Sequence, residues 1–131
     1  MLQPKIIIQV LKQLQQEIHE NSNVKGFWSD HDKLQKLADD AGMGDVARHC
    51  IECTKIALHH SELTEAMDGI RAGNTQDDKI PEFLSVEAEL ADCVIRIMDH
   101  AEKYGYRLAD AIITKVKFNE SRSYRHGGKR F

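Results

Sequence analysis

The chain has 131 residues, 41% hydrophobic and 30% charged, which suits one domain with its own core. A net charge of −3 and a pI near 6.1 count against a general nucleic-acid binder, whose binding face is normally basic. The longest early apolar run, Ile6-Ile7-Ile8, is too short for a membrane span, nothing resembles a signal peptide, and three cysteines point to a reducing compartment without a disulfide framework, so the expected location is the cytoplasm.

A first helix is predicted from Leu2 to about Glu20, where Ile6, Ile7, Val10, Leu14 and Ile18 recur at helical spacing and Pro4 suits a helix start. The stretch NSNVKG is expected to break it, leaving Phe27 and Trp28 in a loop. Ser29 to Asp40 reads as a short helix, with Ser29 or Asp30 as N-cap and Gly42 and Gly44 ending it. Asp45 to about Arg71 is one long helix whose apolar stripe is Ile56, Leu63, Met67 and Ile70. AGNTQDDKIPEF is a loop by composition. Leu84 to Tyr104 is the next helix, apolar at Leu90, Ala91, Val94, Ile97, Met98 and Ala101, with Gly105 as its C′ residue. Leu108 to about Arg122 is the last, and HGGKRF is a flexible or ligand-ordered tail. No convincing strand or repeat occurs. The fold class is all-α, a single bundle domain over 1–131, with a catalytic core at about 45–122 and a basic tail at 123–131.

Charge is uneven along this chain. Eleven acids lie between Glu62 and Glu102 against Arg71, Lys79 and Arg96, whereas the stretch from Lys115 onward holds six strong bases and one acid, Glu120. Within the acidic middle, Glu62 and Glu65 stand three apart, and so do Glu89 and Asp92. Residues i and i+3 share a helical face, so each pair can reach one ligand. Periodicity alone turns these acids toward water, since Glu65 points nearly opposite Ile56 and Leu63, and Glu89 and Asp92 lie opposite Val94. Yet Ile51 and Leu58 share the face of Glu62 and Glu65, and two helices joined by a loop can pack antiparallel and bring four carboxylates together. Such a cluster repels itself unless a divalent cation neutralises it, and all-oxygen ligands favour Mg²⁺ or Mn²⁺ over zinc. A di-iron bundle wants Glu-x-x-His pairs, and none of the seven histidines stands three after an acid.

ELTE followed by ELAD resembles the Glu-x-x-Glu, Glu-x-x-Asp signature of the MazG-like, all-α nucleoside triphosphate pyrophosphohydrolases. The wording KIALHHSELTEAMDGIRAGN, EAELADCVIRIMDHAEKYG and KVKFNESRSYRHGGKRF extends the likeness over about Lys55 to Phe131. The resemblance implies that Glu62, Glu65, Glu89 and Asp92 are Mg²⁺ ligands, with Glu62 or Glu65 taking the proton of the attacking water. It also implies that Lys115, Asn119 and Arg122 form the family's Lys-x-x-x-Asn-x-x-Arg motif. Their i, i+4, i+7 spacing puts all three on one helical face, which independently suits gripping a triphosphate. The implied reaction turns a (deoxy)nucleoside triphosphate and water into the monophosphate and pyrophosphate, as nucleotide-pool house-cleaning in a homo-oligomer, dimer or tetramer. Phosphoribosyl-ATP pyrophosphohydrolysis on the same fold type is one alternative, and a non-catalytic helical interaction module is another.

The remaining residues have two readings each. By the resemblance Trp28 is a lid residue over the base; by the plain reading Phe27 and Trp28 anchor a loop. Cys50, Cys53 and Cys93 read as small core residues. His59 and His60 flank the first acidic motif with structural roles. His126, Lys129 and Arg130 either fold over the triphosphate, since Gly127-Gly128 permits close approach, or are solvated. Asp99 reads as a salt-bridged surface acid, with a contact to the metal site as the sharper alternative.

Overall fold

The computed structural model describes residues 3–124 and is all-helical there. Five helices follow in order: α1 Pro4–Val24, α2 Ser29–Asp40, α3 Gly44–Arg71, α4 Ser85–Lys103 and α5 Leu108–Glu120. No strand occurs among the described residues, only an isolated bridge between Gln76 and Leu84. No helix is long and apolar enough to cross a membrane.

The predicted break at NSNVKG comes late. α1 runs through Asn21, Ser22 and Asn23, and the side chains of Ser22 and Asn23 find partners that do not compete with the helix. Ser22 Oγ donates to Asp99 on α4 at 2.8 Å, and Asn23 Nδ2 lies 2.9 Å from His19 Nε2 one turn back. Gly26, at φ 78°, then turns the chain toward α2 in a conformation that L side chains avoid.

α3 and α4 form an antiparallel hairpin. Its cross-links pair falling with rising numbers: Gly69 against Ser85, Glu62 with Arg96, His59 with Cys93, and Glu52 with His100. Small residues make the approach possible. Ala66, Ala88, Cys93 and Ala101 are buried, and a Cβ at Gly69 would come within 2.6 Å of Ser85 Oγ. Gly73 (φ 99°) and Asn74 (φ 50°) turn the chain out of α3, and Asn74 Oδ1 accepts the Val86 amide in the first turn of α4. At the other end of the hairpin Glu52 is a clasp. It accepts from Tyr106 Oη at 2.6 Å and Arg48 Nε at 3.0 Å, and His100 Nε2 lies 3.0 Å away. Burial alone would push the Glu52 carboxyl up, but the hydrogen bonds from Tyr106, His100 and Arg48 win and hold it below the usual range.

α1 lies on α4, α2 on α3, and α5 on α1. Polar ties add to the packing: Gln15 to Glu102 at 2.6 Å joins α1 to α4, Lys12 to Asp110 at 2.8 Å joins α1 to α5, and Lys103 to Asp32 at 2.6 Å joins α4 to α2.

The junction of α1, α3 and α4 is organised around a buried polar centre. Trp28 is 1% exposed, and its indole Nε1 donates to both oxygens of Asp99, at 2.9 and 3.0 Å. His19 Nδ1 lies 2.6 Å from Asp99 Oδ1, and Lys55 Nζ sits 3.9 Å from the centre of the Trp28 ring. Asp99 is therefore an interior acceptor rather than the surface acid expected from the helical pattern. Asp99→Ala leaves three donors without an acceptor and is expected to cost on the order of 3 kcal/mol. Urea unfolding checks this, and a loss no larger than that of an exposed control such as Asp30→Ala would mean the centre is not structural.

Candidate metal and anion site

The helical period of α3 turns out opposite to what its apolar stripe predicts, whereas on α4 Met98 and Ala101 are buried as predicted and Leu90, Val94 and Ile97 are exposed. Ile51, Lys55, Glu62 and Ala66 make the buried face of α3, while Ile56, Leu63, Met67 and Ile70 are exposed. Of the four acids expected to face water, Glu62 is instead buried at 4% exposed and Glu89 is half-buried, while Glu65 and Asp92 are exposed as expected. The reason is local. The mates of α3 on α4 are small or polar, and they leave room for carboxylates but offer no greasy surface to the Ile56 stripe.

Glu62, Glu89 and Asp92 converge, with one carboxylate oxygen from each lying within 4.8 Å of the others. Glu65, the fourth acid of the expected set, is exposed and stands outside this triad. It is still close enough that its charge acts on Glu89. The Glu89 carboxyl is pushed up, first by burial and then by the charges of Glu65, Glu62 and Asp92. Three hard oxygen donors that resist being charged together fit a divalent cation such as Mg²⁺ or Mn²⁺ in their donor chemistry.

One side chain already neutralises part of the cluster. Arg96 Nε donates to Glu62 Oε1 at 2.5 Å. Arg96 stands four after Asp92 and seven after Glu89, so the same helical face carries both acids and their counter-charge. Beside the triad lies a cavity of about 400 Å³, walled by α1, the turn at Phe27, α2, α3 and α4. Its lining includes Asp92 of the triad and Arg96, together with Lys55, Asp99, Phe27 and His31. Sequence reasoning passed over Lys55, Arg96 and His31. The signal was available for two of them, since Lys55 stands seven before Glu62 and Arg96 seven after Glu89, two helical turns along the acidic faces.

The other expected site residues are placed apart from the triad. Trp28 is interior, and the aromatic that borders the cavity is its neighbour Phe27, 65% exposed. Lys115 and Asn119 are on α5, and Arg122 lies just past its end. The Lys115 ammonium and the Arg122 guanidinium both sit over the Phe118 ring, at 5.1 and 5.8 Å from its centre. Lys115 also lines a groove with Arg107 and Thr114, but α5 contributes nothing to the cavity beside the acids. His126 and Lys129 lie outside the described residues. His59 packs at 5.4 Å against the His100 ring, and burial holds its pKa below the usual histidine value. Cys93 is buried with Sγ 3.6 Å from the His59 carbonyl, as expected, whereas Cys50 and Cys53 are exposed rather than core. α3 turns them away from the hairpin because Ile51 and Lys55 take the inward positions.

Comparison with protein-family models, with curated proteins and with solved structures gave no match. The reading of the site therefore rests on the residues and their geometry.

The raised Glu89 carboxyl has a signed consequence. A carboxyl held above its unfolded value favours folding fully below the unfolded pKa, and that contribution is lost as pH rises through the folded pKa. In EDTA, the melting temperature of the wild type is expected to fall relative to that of Glu89→Gln as pH climbs through the carboxylate range. Mn²⁺ is expected to abolish the difference at neutral pH. Parallel melting profiles for the two proteins would show that the cluster stores no repulsion.

Proposed function

We propose that this protein is a Mg²⁺-dependent nucleoside triphosphate pyrophosphohydrolase of the MazG-like kind, cutting between the α- and β-phosphates. The observation that carries the reading is the convergence of Glu62, Glu89 and Asp92 from two antiparallel helices. That is the arrangement the two acidic motifs require, and it buries Glu62, which the apolar pattern alone would have turned to water. A bound divalent cation would supply screening of the phosphate charge and a lowered pKa for water.

The chain's own residues divide the remaining work. Glu62, Glu89 and Asp92 hold the cation, and Mn²⁺ would satisfy the same oxygens. Glu65, outside the triad yet within reach of its field, is the carboxylate left to accept the proton of the attacking water. Lys115 on α5 and Arg122 just past its end, both over the Phe118 ring, carry the charge that a departing pyrophosphate needs, with Asn119 as a neutral donor beside them. The substrate class is a (deoxy)nucleoside triphosphate and the role is nucleotide-pool house-cleaning, in the cytoplasm.

The working unit in this reading is a homo-oligomer. Ile6, Val10 and Leu14 form an exposed stripe on α1, and Ile56, Leu63, Met67 and Ile70 form another on α3, each between 42% and 58% exposed. Exposed stripes of this length on consecutive helical turns mark a protein surface that meets another. The separation of α5 from the acids within one chain points the same way, because a triphosphate touching both groups then needs a second copy.

One observation favours a second reading. The Arg96–Glu62 ion pair satisfies the most buried acid without any metal, as it would in a helical interaction module that performs no chemistry. The two readings separate in one assay. Purified protein is incubated with each canonical dNTP and NTP, with Mg²⁺ or with EDTA, and the products are resolved by ion exchange. Monophosphate and pyrophosphate are expected only with Mg²⁺, and Glu62→Gln or Asp92→Asn should lower the rate at least about a hundredfold. Diphosphate and phosphate as products would show that the wrong bond is cut. No turnover of any nucleotide would leave phosphoribosyl-ATP as the substrate to try and then the interaction module.

The assembly is tested separately. Sedimentation equilibrium is expected to give a multiple of the 14.9 kDa chain mass. The double variant Val10→Glu, Leu14→Glu should shift it toward the monomer, and an unchanged mass would remove α1 from the interface.

A further inference from the structure

The cavity beside the triad is lined by a buried cation, Lys55, whose ammonium packs over the Trp28 ring but leaves most of its hydrogen-bond donors unused. Lys55 is only 9% exposed, and a buried ammonium is costly unless its three donors are used. A single hydrogen bond is formed, a long one of 3.4 Å to the Phe27 carbonyl. The nearest carboxylate, Asp99, has its two oxygens occupied by Trp28, His19 and Ser22. Burial pulls the Lys55 pKa down, as expected of a cation short of partners. In the same lining, His31 Nδ1 is buried with no hydrogen-bond partner. Arg96 brings a second cation to the same lining, and its only bond there is made through Nε to Glu62.

We propose that this cavity seats the phosphate of a nucleotide, held between Lys55 and Arg96, with the base against the exposed ring of Phe27. The inference rests on the pyrophosphohydrolase reading for its choice of anion. It differs from what the sequence motif implies by placing an anion grip on α3 and α4, within one chain, rather than on α5. The volume of about 400 Å³ falls within the range of small-ligand sites. The partly apolar lining from Phe27, Leu58 and Ile95 suits a base and sugar better than an inorganic ion.

The charges also set an order of binding. Asp92 lines the cavity, so a phosphate entering alone meets a carboxylate. A divalent cation on Glu62, Glu89 and Asp92 reverses that sign. It also relieves Glu62 of its need for Arg96, and the guanidinium is then available to the phosphate. Metal and nucleotide therefore bind with positive coupling, and Arg96 transmits it.

The test is calorimetric titration of the full chain with each of the four deoxynucleoside monophosphates, which are not hydrolysed, in Mg²⁺ and in EDTA. At least one is expected to bind in Mg²⁺ and to weaken at least tenfold in EDTA. Lys55→Met, which keeps the length and packing of the buried stem, and Arg96→Gln, at a half-exposed position, should each weaken binding at least tenfold. Lys36→Met, on an exposed part of α2, should not. Wild-type binding that survives both cavity substitutions overturns the proposal, and so does the failure of all four monophosphates to bind in Mg²⁺. The two readings fail separately. Mg²⁺-dependent turnover with an unchanged KM in Lys55→Met would keep the hydrolase and remove the cavity. Lys55-dependent binding without turnover of any triphosphate would keep the cavity and remove the hydrolase.

Discussion

Everything near the site hangs on one buried carboxylate. Asp99 accepts from Trp28 and Ser22 and meets His19, and those three residues come from the end of α1 and the turn that follows it. A carboxylate taken out of water is tolerated only when its lone pairs are filled. Once they are, the geometry of the donors is fixed too. The Asp99 bonds set where α1 stops, where Trp28 lies, and how Lys55 rests on the indole. The cavity wall is a by-product of that arrangement, because Phe27 must point outward when Trp28 points in.

The second organising fact is that α3 and α4 pair through small and polar residues. Hairpin helices usually bury their greasiest faces against each other. Here the contact is built from alanines, Cys93 and the close pass of Gly69 against Ser85, with charged pairs at Glu62–Arg96 and Glu52–His100. Tight backbones with few large side chains leave internal space, and the acids occupy it. The apolar stripes are displaced to the outside as a consequence, which is why so few large hydrophobic side chains are buried in a chain of this composition.

The sequence revealed the helices well and their facing poorly. α2 and α3 were legible to within a residue from their glycines and periodicity, but not their caps. Neither Ser29 nor Asp30 is the N-cap of α2, a position held by Trp28 without a side-chain cap bond, since Ser29 Oγ donates to the Gly26 carbonyl. The end of α1 was not, since Ser22 and Asn23 look like breakers until their distant or one-turn partners are known. The triad was legible from two i, i+3 spacings, but not the departure of Glu65 from it, because spacing says which residues share a face and not how deep each one lies. Trp28 and Phe27 could not be told apart by pattern. An aromatic pair in a turn has one ring in and one ring out, and only Asp99, 71 residues later, decides which. Arg96 was hidden for the opposite reason, since a basic residue among acids looks like ordinary charge balance until its partner proves to be the most buried of them.

The same bonds carry a consequence for how the chain acquires its shape. The partners of Asp99 precede it by 71, 77 and 80 residues. A chain emerging in order from the ribosome makes α1 and the Trp28 turn long before the acceptor exists, and non-local contacts of this kind are slow to form. Until α4 has been made, Trp28 has no hydrogen-bond acceptor and α1 has no neighbour to hold its end. The end of α1 and the Trp28 turn can then take up their final bonds only once α4 is made, although they are synthesised before it.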